Sequence, residues 1–241
     1  MSNISNAAPP ENTGKMQFGQ AWGAVRKLIA DPEDTAQVFA VIRAMSGPAL
    51  QRGFARFSKL AVGRRVLDEQ IDLVDTLRDR DKLRAMAPGS LGRAYLAFVE
   101  RESLTADGLV EASATGEAYE NEDVARYGQR LRDQHDLWHV LTDYGRDELG
   151  ELCLLAFTYA QTRNRGIGLI VLVGIVKFVQ GLGPRVIRAA RRGYRDGRGA
   201  AWLPGQDWEA LLKQPLHEVR ARLHIAQPLA YQALRQELAT A

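Results

Sequence analysis

The sequence predicts an all-α protein, folded as a multi-helix bundle. Three observations lead there. Apolar residues recur at spacings of three and four, strand-type alternation is nearly absent, and helix start and stop signals punctuate the chain.

Residues 1–16 are polar, carry Pro9-Pro10 and read as a disordered tail, with 17–241 as a single all-helical domain. Phe18 to Ala30 forms the first predicted helix. Asp31 then serves as an N-cap, with Pro32 at the first helical position and Glu33 and Asp34 in the first turn. The helix they open carries Val38, Phe39, Val41, Ile42 and Met45, and stops at Gly47-Pro48. Further helices are predicted from Pro48 to Val62 and from Val66 to Ala85. Ser90 caps another that runs to about Glu100. The Gly-, Ser- and Thr-rich stretch from Leu104 to Glu120 reads as loop.

Asn121 caps the next helix, with Glu122 and Asp123 in its first turn. Along it Tyr127, Leu131, His135 and Trp138 follow one another at three and four. That spacing puts His135 and His139 on the apolar face, pointing into the bundle. Gly145 reads as the end of this helix, and Asp147 as the cap of a return helix to about Arg163. No internal repeat is evident.

Two segments after the hairpin have a partner in question. Gly166 to Gly183 is apolar except for Lys177 and Gln180. It is shorter than the roughly 20 residues that usually span a bilayer, which makes a transmembrane helix its least favoured reading. A buried central helix is its ordinary reading; a helix lining a lipid tunnel or dipping into a membrane interface is the other. Pro184 to Arg198 places Arg185, Arg188, Arg192 and Arg195 on one helix face, with Arg191 and Arg198 nearby. Such a stripe is either a solvated face or a site for anionic lipid headgroups. No nucleic-acid reading motif accompanies it, so no nucleic-acid partner is expected. Further on, Pro215 interrupts the C-terminal helical pattern. His217 and His224, seven residues apart with no Cys near, make a poor second metal site.

Composition sets the remaining bounds. A chain of 241 residues with 46% hydrophobic and 25% charged residues is ordinary globular material, and its net charge is only +3. One cysteine excludes an intramolecular disulfide framework and suits a reducing compartment. Cys153 itself reads as a small buried apolar residue. Met1 to Lys15 has neither the apolar core of a signal peptide nor an Arg-rich amphipathic pattern, so the expected location is the bacterial cytoplasm.

The chemistry lies in His135-Asp136-x-x-His139, followed by Glu151. Two imidazoles and two carboxylates fall close together in a chain with only four histidines. On a helix the histidines stack one turn apart with Asp136 beside them. Glu151 is about four turns further on, so a second helix must fold back to bring it in. A helix-turn-helix hairpin with a buried metal site between its two helices follows. Two nitrogens and up to two carboxylate oxygens suit a divalent metal with one position open. A salt-bridged His/Asp/Glu network is the alternative. No phosphate loop, nucleophile elbow or flavin fingerprint is evident.

The pattern HDxxH-x11-E, within "HDLWHVLTDYGRDELGELCLLAF", resembles the signature of the fourth Coq protein family of coenzyme Q (ubiquinone) biosynthesis. "DPEDTAQVFAVIRAM", "APGSLGRAYLAFV" and "DWEALLKQPLHEVRARLHI" agree with that family, so the likeness runs from about residue 17 to about residue 225. It implies an all-helical, membrane-associated protein that holds a divalent metal, usually zinc, through His135, Asp136, His139 and Glu151. It also implies an activity: removal of the C1 carboxylate of a polyprenylated 4-hydroxybenzoate-derived ring and installation of a hydroxyl there.

The resemblance makes the four motif residues catalytic as well as metal-binding. Its expected partners are the polyprenylated benzoquinone precursor, an anionic membrane surface and the other ubiquinone-biosynthesis enzymes. A homodimer is left open. Attachment would be peripheral, on the bacterial inner membrane. Exchanging a carboxylate for a hydroxyl is a net oxidation, and zinc has no redox chemistry. Either the phenolate reacts with oxygen while the metal only organises it, or the working metal is iron or manganese. The rival functions are a noncatalytic lipid-binding scaffold for the biosynthetic enzymes and, further off, an HD-type phosphohydrolase.

Overall fold

The structure is a computed structural model that describes residues 35–113 apart from Gly47, residues 121–240, and Gly19, Ala21, Gly23, Ala24 and Lys27. The tail, most of the helix expected over Phe18 to Ala30, the Asp31–Asp34 start signal and the Gly47 stop lie outside the described residues. Among those described there is no strand; a single bridge joins Ser90 to Pro215. The all-α expectation holds.

The first half is cut into shorter helices than the sequence suggested. α1 spans Thr35–Ala44, α2 Pro48–Phe57, α3 Ala61–Asp68, α4 Leu73–Arg78 and α5 Arg80–Ala85. The helices expected over Pro48 to Val62 and Val66 to Ala85 are therefore broken. At the first break Gly63 lies so near the Phe57 carbonyl that a Cβ would sit 1.8 Å from its oxygen, a corner only glycine permits. At the second, Gln70 has φ 53, which no helix continues through. Asp79 then restarts the chain, its side chain accepting the Lys82 N–H.

α6, Leu91–Arg101, begins at Ser90 as expected, with Ser90 Oγ accepting the Arg93 N–H. The loop expected over Leu104 to Glu120 is corrected in part, because Ala106–Ser113 is helix α7. Thr105 Oγ1 accepts the Gly108 N–H at 3.1 Å, a cap hidden in a composition that looked like loop. Residues 114–120 lie outside the described residues.

Asn121 caps α8, Glu122–Asp133, accepting from Asp123 and Val124 at 2.8 and 3.1 Å. The single motif helix read from the sequence is two. It breaks at Gln134, and α9 begins at the first ligand histidine, His135–Thr142. Its end is also shifted: Asp143, in the left-handed region at φ 59, terminates α9, not Gly145. Asp147 caps α10, Glu148–Thr162, as expected, with its side chain accepting the Gly150 N–H at 3.0 Å.

α11 spans Arg165–Leu182, α12 Arg185–Gly199, and a short 3-10 turn covers Leu203–Gly205. α13, Trp208–Leu211, and α14, Leu216–Arg222, flank the break at Pro215, and α15 is Leu229–Thr240. The main core draws Tyr95, Leu96 and Phe98 of α6 together with Leu137, Trp138 and Leu141 of α9. Leu152 and Phe157 of α10, Val186 of α12 and Trp208 join them.

The most extensive helix pair is α10 with α12. Its seam is made by Gly193 and Gly197, one turn apart, where added Cβ atoms would stand 2.5 Å from the Cys153 and Phe157 carbonyl oxygens. Backbone lies directly on backbone there. This seam leaves every arginine of the α12 stripe, Arg185 to Arg198, pointing outward and exposed.

α11 is not the buried central helix that apolarity suggested. Gly166, Ile167, Ile170 and Val171 are buried near its start, but Leu172 and Val176 are 63% and 65% exposed. Helix length and apolarity are sufficient for a membrane crossing, yet only 22% of the helix is buried by the rest of the chain. Composition recorded its apolarity but not what covers it.

Candidate metal centre

The break at Gln134 is what aims the first ligand. Gln134 is fully buried, its Nε2 donating to the Arg130 carbonyl at 2.9 Å and its Oε1 accepting from Trp208 Nε1 at 2.9 Å. Arg130, also buried, forks onto Glu209 at 2.7 and 2.8 Å. A buried fork of this kind costs desolvation, so its value lies more in fixing geometry than in stability. Together these bonds tie the α8–α9 junction to α13.

From there α9 presents His135, Asp136 and His139, whose ligand atoms all lie within 4.8 Å of one another. His135 Nε2 and His139 Nε2 face each other at 3.2 Å. The turn after α9 brings α10 back antiparallel and supplies Glu151. Its Oε1 stands 3.2 Å from His139 Nε2 and its Oε2 3.8 Å from His135 Nε2. The structure thus groups His135, Asp136 and His139 and sets Glu151 against the two histidines. It places them at the mouth of the hairpin: the His139 side chain is fully buried, while His135 and Glu151 keep 27% and 33% of their side-chain surface.

His139 is held on three sides. Its Nδ1 donates to the Tyr144 carbonyl at 2.9 Å, which leaves the Nε2 lone pair directed at His135 and Glu151. Phe98 stacks on its ring at 5.6 Å between centroids. Burial works against a charged His139, but the Glu151 carboxylate outweighs it and raises the imidazole above its ordinary range. Burial and the neighbouring His139 lower His135. Burial alone would raise Glu151; the His139 hydrogen bond and charge overcome it and hold the carboxyl below its usual range.

Two imidazole lone pairs and a carboxylate converging on one point, with Asp136 buried beside them, form a donor set that fits a divalent cation.

Other residues fall where the sequence placed them. Cys153 is buried and its thiol is pushed up to about 12 by that burial, which makes it inert. His217 is exposed. The sequence analysis missed Gln134, Phe98 and the Tyr144 carbonyl. A backbone acceptor has no sequence signature, and the other two reach the site only through the fold.

Comparison with known proteins follows the same contour. Over residues 11–229 the chain matches the model of the family described as coenzyme Q (ubiquinone) biosynthesis protein Coq4. It belongs to the Coq4 family. With the family comes a place in ubiquinone biosynthesis, as the resemblance implied.

The mitochondrial ubiquinone biosynthesis protein COQ4 of Yarrowia lipolytica is 30% identical over 182 residues, covering 73% of this chain and 66% of its own length. That of Clavispora lusitaniae is 28% identical over 211 residues, 86% of this chain and 64% of its own. The chain thus spans a little under two thirds of these two relatives. The Pyrenophora tritici-repentis protein is 29% identical over 97% of this chain and 82% of its own length. A crystallographically solved Nostoc punctiforme protein shares the fold, with a TM-score of 0.64 at 21% identity over 88% of this chain and all of its own.

These relatives correct one expectation. They are fungal proteins named as mitochondrial, which overturns the bacterial cytoplasm expected for this chain. The expectation rested on the pattern of residues 1–15 alone, and a targeting segment is an address separate from the fold.

Proposed function

We propose that this Coq4 family chain carries out a metal-dependent oxidative decarboxylation, exchanging the C1 carboxylate of a polyprenylated 4-hydroxybenzoate-derived ring for a hydroxyl. The observation that supports the reading is the convergence of His135 Nε2, His139 Nε2 and Glu151 within 3.2–3.8 Å at an opening to solvent. His135 and Glu151 keep part of their side-chain surface, so the cluster can be reached from solvent. His135, Asp136, His139 and Glu151 would hold zinc, iron or manganese. When bound, the ion would supply Lewis acidity toward a ring carboxylate or phenolic oxygen.

The protein's own groups do the rest. Phe98 and the Tyr144 carbonyl fix the His139 plane. The core beneath, with Trp138 and Leu141, excludes water from the buried side. The exchange is a two-electron oxidation of the ring: in net form the ring carboxylic acid, dioxygen and water would give the phenol, carbon dioxide and hydrogen peroxide.

The test is aerobic incubation of metal-loaded protein with a short-tailed prenyl-hydroxybenzoate, following product mass. Wild type is expected to yield the hydroxylated, decarboxylated ring. Metal-loaded Asp136→Asn should be slowed by about tenfold or more, since it removes a charge from the donor set. If folded, loaded Asp136→Asn turns over as wild type does, or if wild type yields no such product, the catalytic reading falls in favour of a scaffold.

Membrane attachment belongs to the same proposal. Leu172 and Val176 of α11 and Ile187 of α12 are exposed, as are the α12 arginines, so these two helices offer solvent both apolar side chains and positive charge. Each cation near an anionic surface contributes about 1 kcal/mol, screened over roughly 8 Å at physiological salt. Changing Arg188, Arg192 and Arg195 to Glu is therefore expected to release the protein from anionic liposomes at low salt. Undiminished flotation of that variant would reduce the stripe to a solvated face.

A further inference from the structure

The turn at residues 143–147 joins the two halves of the candidate metal centre, and α15 lies across it. Tyr231 of α15 is buried against this turn. Its hydroxyl accepts the Gly145 N–H at 3.0 Å and donates to Asp147 Oδ2 at 2.5 Å. Its ring meets Tyr144 edge-on, 5.5 Å between centroids at 71°. Beside it Gln232 Nε2 donates to Asp143 Oδ2 at 3.1 Å, and Arg235 Nε stands 3.6 Å from Asp147 Oδ2.

Two of the three groups gripped by Tyr231 are one hydrogen bond away from a candidate ligand. Tyr144, against its ring, supplies the carbonyl that orients His139 through Nδ1. Asp147, at its hydroxyl, caps α10 through Gly150, and the Asp147 carbonyl accepts the Glu151 N–H at 2.9 Å. Gly145, which it also binds, has no room for a side chain: a Cβ there would lie 2.5 Å from the Tyr231 oxygen. Burial and the Asp147 carboxylate both push the phenol up, so it stays a donor at physiological pH.

We infer that Tyr231 is a positioning residue for the metal centre, setting the separation of His139 and Glu151 by pinning the turn between them. The inference rests on the metal reading of that cluster. Tyr231 lies beyond residues 11–229, the stretch matched by the family model, so the family match assigns it nothing.

Cobalt(II) and zinc titrations of the full-length apoprotein test it. Tyr231→Phe keeps the ring and its packing on Tyr144 but loses both hydroxyl bonds. Its metal affinity is expected to fall by about tenfold or more, the usual effect of removing a group that orients a ligand. The cobalt d–d bands of the folded variant should shift with the altered geometry, whatever the loss of the two hydroxyl bonds does to the urea midpoint of the apoprotein. A merely structural tyrosine would lower the urea midpoint and leave the affinity and spectrum of the folded protein untouched, and that result overturns the inference.

His139→Ala separates the two levels of the argument. If wild type binds no metal, or His139→Ala binds it equally well, the metal reading fails. If wild type binds, His139→Ala does not, and Tyr231→Phe binds as wild type, the positioning role alone fails. Should Tyr231→Phe not fold, Gly145→Ala carries the test, since its methyl group displaces the same hydroxyl; wild-type affinity there likewise overturns the inference.

Discussion

Purified His139→Ala protein is expected to retain almost no divalent metal under conditions where the wild-type chain is fully loaded. His139 is the ligand candidate with no alternative placement: its side chain is fully buried, its Nδ1 is committed to the Tyr144 carbonyl, and its Nε2 stands 3.2 Å from both His135 Nε2 and Glu151 Oε1. Alanine removes one nitrogen donor, and nothing nearby can swing in to replace it.

The loss extends to charge. In the apoprotein Glu151 titrates below its ordinary range because His139 favours its ionised form over the opposing effect of burial. A depressed carboxyl adds stability that is present above its unfolded-state value and lost as pH falls through the depressed one. Without His139 that contribution goes, and Glu151 is left with less to offset its burial. Metal analysis of tag-free wild type and variant is the check. Equal metal content would end the assignment.

The second large effect is on stability. Gly193→Leu is expected to destabilise the fold by about 3 kcal/mol, the upper part of the range for forcing bulk into a packed interior. Any Cβ at Gly193 begins 2.5 Å from the Cys153 carbonyl oxygen, which is backbone within α10 and cannot rotate away. The helix pair has to separate. Gly181→Ala is the matched control, because a Cβ there meets nothing within 4 Å. Relief of glycine's helix cost should make that change neutral or stabilising by up to about 1 kcal/mol. Urea melts of both variants check the pair, and equal midpoints would mean the seam is not a constraint.

These glycines mark where the sequence stopped being informative. Local signals were legible: Ser90, Asn121 and Asp147 each cap the helix they were expected to cap, and Pro215 breaks where it should. Each acts within three residues, so the chain alone reveals it. The four candidate ligands were legible too, since HDxxH fixes three of them by helical period and only the return of Glu151 needed a hairpin.

What could not be read depends on long-range partners. Gln134 breaks the motif helix through a bond to Trp208, and nothing near Gln134 in sequence announces it. α11 is apolar whether buried or bare, and only packing distinguishes the two. Tyr231 acts on a turn more than eighty residues upstream.

The contact of α10 with α12 has a consequence for approach to a surface. Two helices separated by a layer of side chains can slide or tilt as those side chains change rotamer. Where Gly193 and Gly197 bring backbone onto backbone, that freedom is gone. Glu151 sits in the first turn of one of these helices, and the arginines ride on the far side of the other. The pair behaves as a bracket of fixed angle. If the arginines settle on a bilayer, the opening beside His135 is held at one height and one inclination, and a ring tethered by its tail within that bilayer meets it at a set depth. Lengthening or shortening the tail would not move the ring much, but wedging the bracket open would.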